Sequence, residues 1–377
     1  MAVAERKLKV AILVKRFTPT GGSEKYALEV AQRLAARGHE IDVYARDAEQ
    51  RELKGLRFVK VPDRLGFSSV ASLYSFARET SRLLAGRRYD VIHGHERGHM
   101  PQDISTLHSF SYRGSGYLGY PWWKKVLQVY LSPRSWLHLW LEAGQMAAPE
   151  LAAVSRVISD DASRFYNRSS VEISPGVDLD RFNPERIVAN RKEKRLAAGI
   201  KEEESVVLFV GSEFRRKGLD LLLEQIGPGM RLFVVGRDER PGYYQALARR
   251  LNIEAQVNFT GLVSDVMEYY PLADLVVLPS RSEAFGMSIL EGMACGLPVA
   301  VSGNAGVAAL ICHGVNGFVF RDAAGLAEVL PVMKDRHRCR ALGTAARMTA
   351  AGHGWDVKAL QYEELYNRIA AQKIERP

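Results

Sequence analysis

The chain has 377 residues, with 52 Lys and Arg against 43 Asp and Glu for a net charge of +9, and 47% apolar and 25% charged residues. Its length exceeds the roughly 250–300 residues at which one hydrophobic core stops growing, so two domains are expected, and the composition excludes a disordered, coiled-coil or collagenous chain. Three cysteines, Cys295, Cys312 and Cys339, show neither CxxC spacing nor an even count, so they read as buried thiols of a reducing compartment.

Near the start, Val10–Val14 is an apolar run closed by Lys15 and Arg16, too short for a signal-peptide core and suited to a first β-strand. Thr20-Gly21-Gly22-Ser23 follows and leads into a segment of helical period from Glu24 to Arg37. Glycine there permits close backbone approach to a ligand. Without a full GxGxxG or a Walker lysine, a phosphate- or acceptor-facing loop is the better reading than a dinucleotide or NTPase site. The runs IDVYA and FVKV, a helical stretch from Ser72 to Leu84, and DVIHG continue an alternation that predicts parallel βαβ units. His95-Glu96-Arg97-Gly98-His99 then spells HExxH, which on a helix would offer zinc two histidines. Gly98 inside it and Pro101 just after it oppose a helix, so a loop and no metal are expected.

From Ile104 to Leu141 there is no Asp or Glu, whereas Arg113, Lys124, Lys125 and Arg134 are basic and Trp122, Trp123, Trp136 and Trp140 are four of the five tryptophans. Such a mixture suits the headgroup layer of an anionic membrane, although the same rings could pack against the first domain. No apolar stretch approaches the roughly 18 residues needed to span a bilayer. After SPGVDLDRFNPERIVANRKEKR the alternation restarts as VVLFVGS, RLFVVGR, VNFTG, LVVLP, LPVAVS and GFVF. Asp178-Leu179-Asp180, at the junction, reads as turn and capping chemistry. The fold class is therefore α/β, with two Rossmann-like parallel-sheet domains over 1–177 and 178–354. A terminal helix at 355–377, with Leu360, Tyr362, Leu365, Tyr366 and Ile369 at helical intervals, is expected to pack back on the first domain. Two such sheets facing one another would place a ligand in the cleft outside their strand ends.

Two stretches of the second half carry chemistry. In GSEFRRKGLDLLLE, Arg215, Arg216 and Lys217 crowd the end of a strand, where they could stabilise a departing diphosphate, or could simply be solvated. In SRSEAFGMSILEGMACGLPVAVS, Glu283 and Glu291 flank a Gly-containing turn that opens a helix. Backbone N–H groups of Phe285, Gly286 and Met287 can donate there, and Glu291 can accept from vicinal hydroxyls, all of which a sugar nucleotide offers. An acidic turn complementing the helix dipole is the other reading of the glutamates.

Gly21-Gly22, TLH at 106–108, SPGVDLDRFNP, GSEFRRKG, the Glu283/Glu291 pair and Gly314–Gly317 stand in the order found in retaining family 4 glycosyltransferases of the GT-B fold, which the chain resembles over nearly its whole length. GSEFRRKG and VVGRDERPGYYQALARRLNI resemble the lipopolysaccharide core enzymes that put glucose from UDP-glucose onto heptose. The resemblance implies Glu283 beside the donor sugar, Glu291 on the ribose, Arg216 and Lys217 on the diphosphate, and Gly21 and Gly22 along the donor phosphates. It places Val263, Phe285, Gly286 and Met287 in the donor site and His108 at the catalytic centre near the acceptor. It further implies front-face retention without a covalent intermediate, and no cofactor or metal besides the UDP-sugar substrate. The acceptor would be a lipid-linked saccharide, met at the cytoplasmic face of the cell membrane through Trp122, Trp123, Lys124, Lys125, Arg134, Trp136 and Trp140, with no nucleic acid bound. Two places depart from the pattern: Ser212 stands where an Arg is usual, so Arg215 or Arg216 must replace it, and NAGVAALI lacks the usual acidic residue. The alternatives are a transferase of another cell-surface polysaccharide, and a sugar-nucleotide-binding module or epimerase on the same fold.

Overall fold

The computed structural model describes residues 6–65, 68–114 and 132–375, so Trp122, Trp123, Lys124 and Lys125 lie outside the described residues. The chain forms two compact units, one running to Gly176 and resuming at Trp355, the other Val177–Gly354.

In the first unit the strands of the main sheet are β1 (Lys9–Leu13), β2 (Glu40–Ala45), β3 (Arg57–Lys60), β4 (Val91–Gly94), β5 (Ile104–Leu107), β6 (Glu150–Ala153) and β7 (Val171–Glu172). They pair in the order β3-β2-β1-β4-β5-β6-β7, all parallel. The central strand β1 is enclosed on both faces, with Val10, Ala11, Ile12 and Leu13 all at 0% exposure, which is why it reads as an unbroken apolar run. Ser68 starts the helix Ser69–Leu84 by accepting from Ala71 N–H at 3.2 Å, three residues ahead of the predicted start.

The helix Trp355–Glu375 belongs to this first unit and buries Trp355, Ala359, Tyr362, Leu365, Tyr366 and Ile369 along one stripe. Leu360 does not join them: it lies off that stripe and is 41% exposed. Polar contacts lock the helix in place, with Tyr26 and Tyr362 hydroxyls 2.9 Å apart and Glu363 accepting from Arg37 Nε at 2.6 Å.

The second unit has β8 (Ser205–Val210), β9 (Met230–Val235), β10 (Val257–Gly261), β11 (Leu275–Leu278), β12 (Val299–Ser302) and β13 (Phe318–Phe320), paired in parallel as β10-β9-β8-β11-β12-β13. Alternate residues of β8 feed two cores: Val206 and Leu208 on one face of the sheet, Val207 and Phe209 on the other. Each unit thus reverses its strand order beside its first strand, the arrangement in which Rossmann-like sheets receive ligands at the carboxyl edge.

Asp178 does form a turn, its Oδ1 accepting from the N–H groups of Asp180 at 3.1 Å and Arg181 at 2.9 Å. The buried-thiol expectation holds for Cys295, but Cys339 is half-buried and Cys312 is exposed. Cys312 sits in a surface turn closed by its own N–H on Asn316 Oδ1, not in an element with a covered face. Among the described residues, no helix is long and apolar enough to cross a membrane.

Candidate functional site

In the second unit, β8 and β11 are the neighbours at which the strand order reverses, and the predicted cations and Glu283 lie on the segments that follow them. After β8 the chain turns tightly, with Lys217 N–H on Glu213 O at 3.1 Å and Leu219 N–H on Phe214 O at 3.0 Å. Gly218 is needed here twice over: its φ is +72°, and a Cβ would stand 2.0 Å from Pro279 O at the end of β11. Arg281 N–H on Arg216 O at 2.8 Å, and the Arg281 side chain on Arg215 O at 2.7 Å, then bind the two loops to one another.

That bracing brings Arg216, Lys217 and Glu283 together. Lys217 Nζ lies 2.7 Å from Glu283 Oε2, and Arg216 Nη1 lies 3.2 Å from the same oxygen and donates to Ser282 O at 2.8 Å. The Lys217 and Glu283 side chains are only 14% and 12% exposed. Burial by itself would raise the Glu283 carboxyl, but the Lys217 ammonium and the Arg216 guanidinium outweigh it and hold the group below its ordinary range. Glu283 is therefore a carboxylate fixed between two cations, and the trio can receive an anionic, hydroxylated ligand. Arg215 is exposed, whereas Arg216 is the one of the two that faces Glu283.

The Glu283 backbone is pinned to the segment after β12, with its N–H on Asn304 O at 3.2 Å and Val307 N–H on Phe285 O at 2.8 Å. Gly286, at φ +107°, turns the chain into the helix Met287–Ala294, and a Cβ there would meet Leu278 Cδ2 at 2.9 Å. Phe285, Gly286 and Met287 therefore stand at a helix start, as the spacing suggested. Glu291, inside that helix and 8% exposed, accepts from the Tyr270 hydroxyl at 2.9 Å. Val263, after β10, is partly buried against the core that contains Tyr270 and Phe285. Tyr270 was not foreseen, because a tyrosine in YPLADLV carries no motif and meets Ser288 O and Glu291 only 18 and 21 residues further on.

His108, Gly21 and Gly22 belong to the first unit. Gly21 has φ +98° and precedes the helix Gly22–Ala36; a Cβ on it would stand 2.5 Å from Glu24 Oε2. His108 follows β5, with Nε2 at 2.9 Å from His95 Nδ1 and the Tyr26 ring edge-on at 5.0 Å. Burial pushes the His93 and His108 imidazoles down to about 3, His93 being lowered further by His108. The HExxH stretch is a series of bends, and its histidines diverge: His95 meets His108, whereas His99 lies tilted against Trp140 with ring centroids 4.1 Å apart. Among the described residues no group of three His, Cys, Asp or Glu is placed to hold a metal. His95, His93 and Tyr26, which back His108, are contacts that local spacing did not reveal.

On the helix Pro133–Met146, Trp136 and Trp140 stand one turn apart and are 61% and 47% exposed. Arg134 on the same helix is exposed and donates to Ser69 Oγ at 3.1 Å.

Residues 20–181 match the family model Glycosyltransferase Family 4, and residues 190–349 match Glycosyl transferases group 1. Among curated relatives, the lipopolysaccharide glucosyltransferase WaaG of Escherichia coli K12 is 26% identical over 346 residues, covering 86% of this chain and 88% of that protein. The D-inositol 3-phosphate glycosyltransferase of Mycolicibacterium smegmatis is 27% identical over 394 residues, covering 93% and 89%. Among solved structures, that of WaaG, a glycosyltransferase involved in lipopolysaccharide biosynthesis, aligns with a TM-score of 0.79 and 25% identity over 95% of this chain and 99% of that one. Anabaena HepE in complex with UDP-glucose shares the fold, with a TM-score of 0.72 and 19% identity over 96% and 100%.

Proposed function

The chain belongs to the group 1 and family 4 glycosyltransferases of the GT-B fold, and from that premise we propose that it is a retaining, metal-independent enzyme moving glucose from UDP-glucose to a lipid-linked saccharide. The observation that carries this reading is the trio of Arg216, Lys217 and Glu283 at the strand-order reversal of the second unit.

As the bond between the anomeric carbon and the diphosphate oxygen breaks, negative charge grows on the leaving phosphate. Lys217 Nζ and the Arg216 fork meet that charge from a mostly buried position, where it is worth more than in water. Two fixed cations supply what a divalent ion would otherwise supply, which supports independence from metal. Glu283 accepts from the donor sugar hydroxyls, and Glu291, braced by Tyr270, accepts from the ribose. Phe285, Gly286 and Met287 donate from the helix start, Val263 borders the donor, and Gly21 and Gly22 follow its phosphates. The acceptor oxygen, near His108, attacks the anomeric carbon on the face the phosphate leaves, and its proton passes to the departing phosphate oxygen. Configuration is retained with neither a covalent enzyme intermediate nor a resident cofactor.

The acceptor class rests on the name of the lipopolysaccharide relative and on the exposed Trp136 and Trp140, which suit a peripheral site at the inner face of the cell membrane. The D-inositol 3-phosphate glycosyltransferases, matched at comparable identity, favour a second reading with a soluble phosphorylated acceptor. A panel of sugar nucleotides incubated with lipopolysaccharide-core lipid or with inositol 3-phosphate, the product anomer read by NMR, separates the two. An α-glucoside on the core lipid is expected. Transfer to inositol phosphate alone supports the second reading, and a β-linked product contradicts retention.

A further inference from the structure

His108 closes β5 at the carboxyl edge of its sheet, and its ring is held on two sides. His95, which follows β4, places Nδ1 2.9 Å from His108 Nε2 with the two rings stacked at 5.2 Å, and Tyr26 meets the His108 ring edge-on. Nε2 of His108 is thereby engaged, leaving Nδ1 as the ring nitrogen that can meet a ligand. His95 is 4% exposed, and its Nε2 is buried without a hydrogen-bond partner among the described residues. Burial holds both rings neutral, His108 at about 3 and His95 well below its ordinary value.

Two neutral imidazoles joined by one hydrogen bond admit two proton arrangements. Were His108 the donor, the His95 proton would sit on Nε2, a buried N–H with no acceptor, which folded proteins rarely tolerate. With His95 donating from Nδ1, Nε2 keeps only a lone pair, the His93 and His95 ring centroids being 4.1 Å apart, and no N–H is stranded. We propose that His95 is a positioning residue that donates from Nδ1 to His108 Nε2 and so holds His108 in the tautomer whose Nδ1–H faces the ligand. The inference rests on the glycosyl-transfer reading of this site. In that tautomer His108 offers a hydrogen-bond donor to a sugar hydroxyl or a phosphoryl oxygen and no basic lone pair, in keeping with a reaction whose leaving phosphate takes the acceptor proton.

The test uses the full-length protein labelled with 15N-histidine, the His108 signals being assigned by their loss in His108→Gln. Ring-nitrogen couplings are expected to place the His108 proton on Nδ1 in wild type, with His95→Leu measured beside it. A wild-type proton on Nε2 overturns the proposal, whatever the enzyme turns over and whether or not the Leu variant folds. Kinetics give the second readout, because His95→Asn keeps an amide N–H where Nδ1 stands and His95→Leu does not. The Leu variant is expected to lose about 10- to 100-fold in kcat with little change in donor KM, as when an outer partner orienting a ligating histidine is lost, and the Asn variant to recover most of it. Equal losses in the two variants would reduce His95 to a filler of space. A wild type that transfers no sugar at all would count against the proposed function, while the tautomer in the unliganded protein would still decide the proton arrangement.

Discussion

Glu283 stays ionised in a mostly buried position because Lys217 and Arg216 face one of its oxygens, so each partner depends on the others. Glu283→Gln leaves the Lys217 ammonium buried and without its counter-charge, and breaking such a pair typically costs about 3–5 kcal/mol. A clear fall in the urea midpoint is expected, and an unchanged midpoint would mean that water already screens the pair. Tyr270 acts differently. Its hydroxyl braces Glu291 from a fully buried position, and a hydrogen bond to a charged group is worth about 1.5–3 kcal/mol. Tyr270→Phe should raise the donor KM several-fold with kcat nearly kept, as initial rates over donor concentration would show. A fall in kcat at constant KM would place Glu291 in the chemical step and not on the ribose.

Among the elements, the helix Pro133–Met146 stands out because two tryptophans one turn apart are 61% and 47% exposed. Trp136→Ala with Trp140→Ala is expected to reduce flotation with anionic vesicles, and because Trp140 also lies against His99, the thermal midpoint is read beside it to separate lost binding from lost packing. Retention of the double variant equal to wild type would remove the membrane role. The same scale shows what could be read from sequence. Strands such as β1 and β8 are covered on both faces and so announce themselves as apolar runs. β5 (ISTL) and β6 (ELAA) pass unnoticed, because Ser105 and Thr106 of β5 are polar yet buried, bonding to Gly94 O and to His93. The cations and Glu283 at strand ends were legible because each sits next to the turn that places it. Tyr270, His95 and Tyr26 were not, since each acts through a partner remote in sequence, as with Tyr26 and Tyr362, 336 residues apart. Cys312 was misread for the related reason that apolar character alone does not tell which side of a turn meets water.

At the scale of the molecule, two sheets of the same order carry different chemistry at their carboxyl edges: histidines in the first unit, cations with carboxylates in the second. The first arrangement makes stability depend on pH. Burial lowers His93 and His108 to about 3 and His95 well below its ordinary value, whereas in the unfolded chain such rings titrate near 6.5. The unfolded state therefore binds more protons below about pH 6.5, and stability present above that value is lost as pH falls towards 3. Glu96 and Asp161, raised by burial, act in the opposite sense, two carboxyls against four rings, since burial and the nearby Arg97 and Arg134 lower His138 as well. Urea midpoints should fall between pH 7 and pH 5, and a flat profile would mean that these rings are not neutral when folded. The second arrangement carries the central claim, which one measurement meets directly: UDP release from UDP-glucose in the presence of EDTA, with and without lipopolysaccharide-core acceptor, for wild type and Lys217→Ala. Acceptor-dependent release that survives EDTA and falls by about 100-fold or more in the variant is the expected result, the scale for removing one preorganised transition-state donor. Release abolished by EDTA, or undiminished in Lys217→Ala, would contradict a leaving group stabilised by Lys217 and Arg216 in place of a metal.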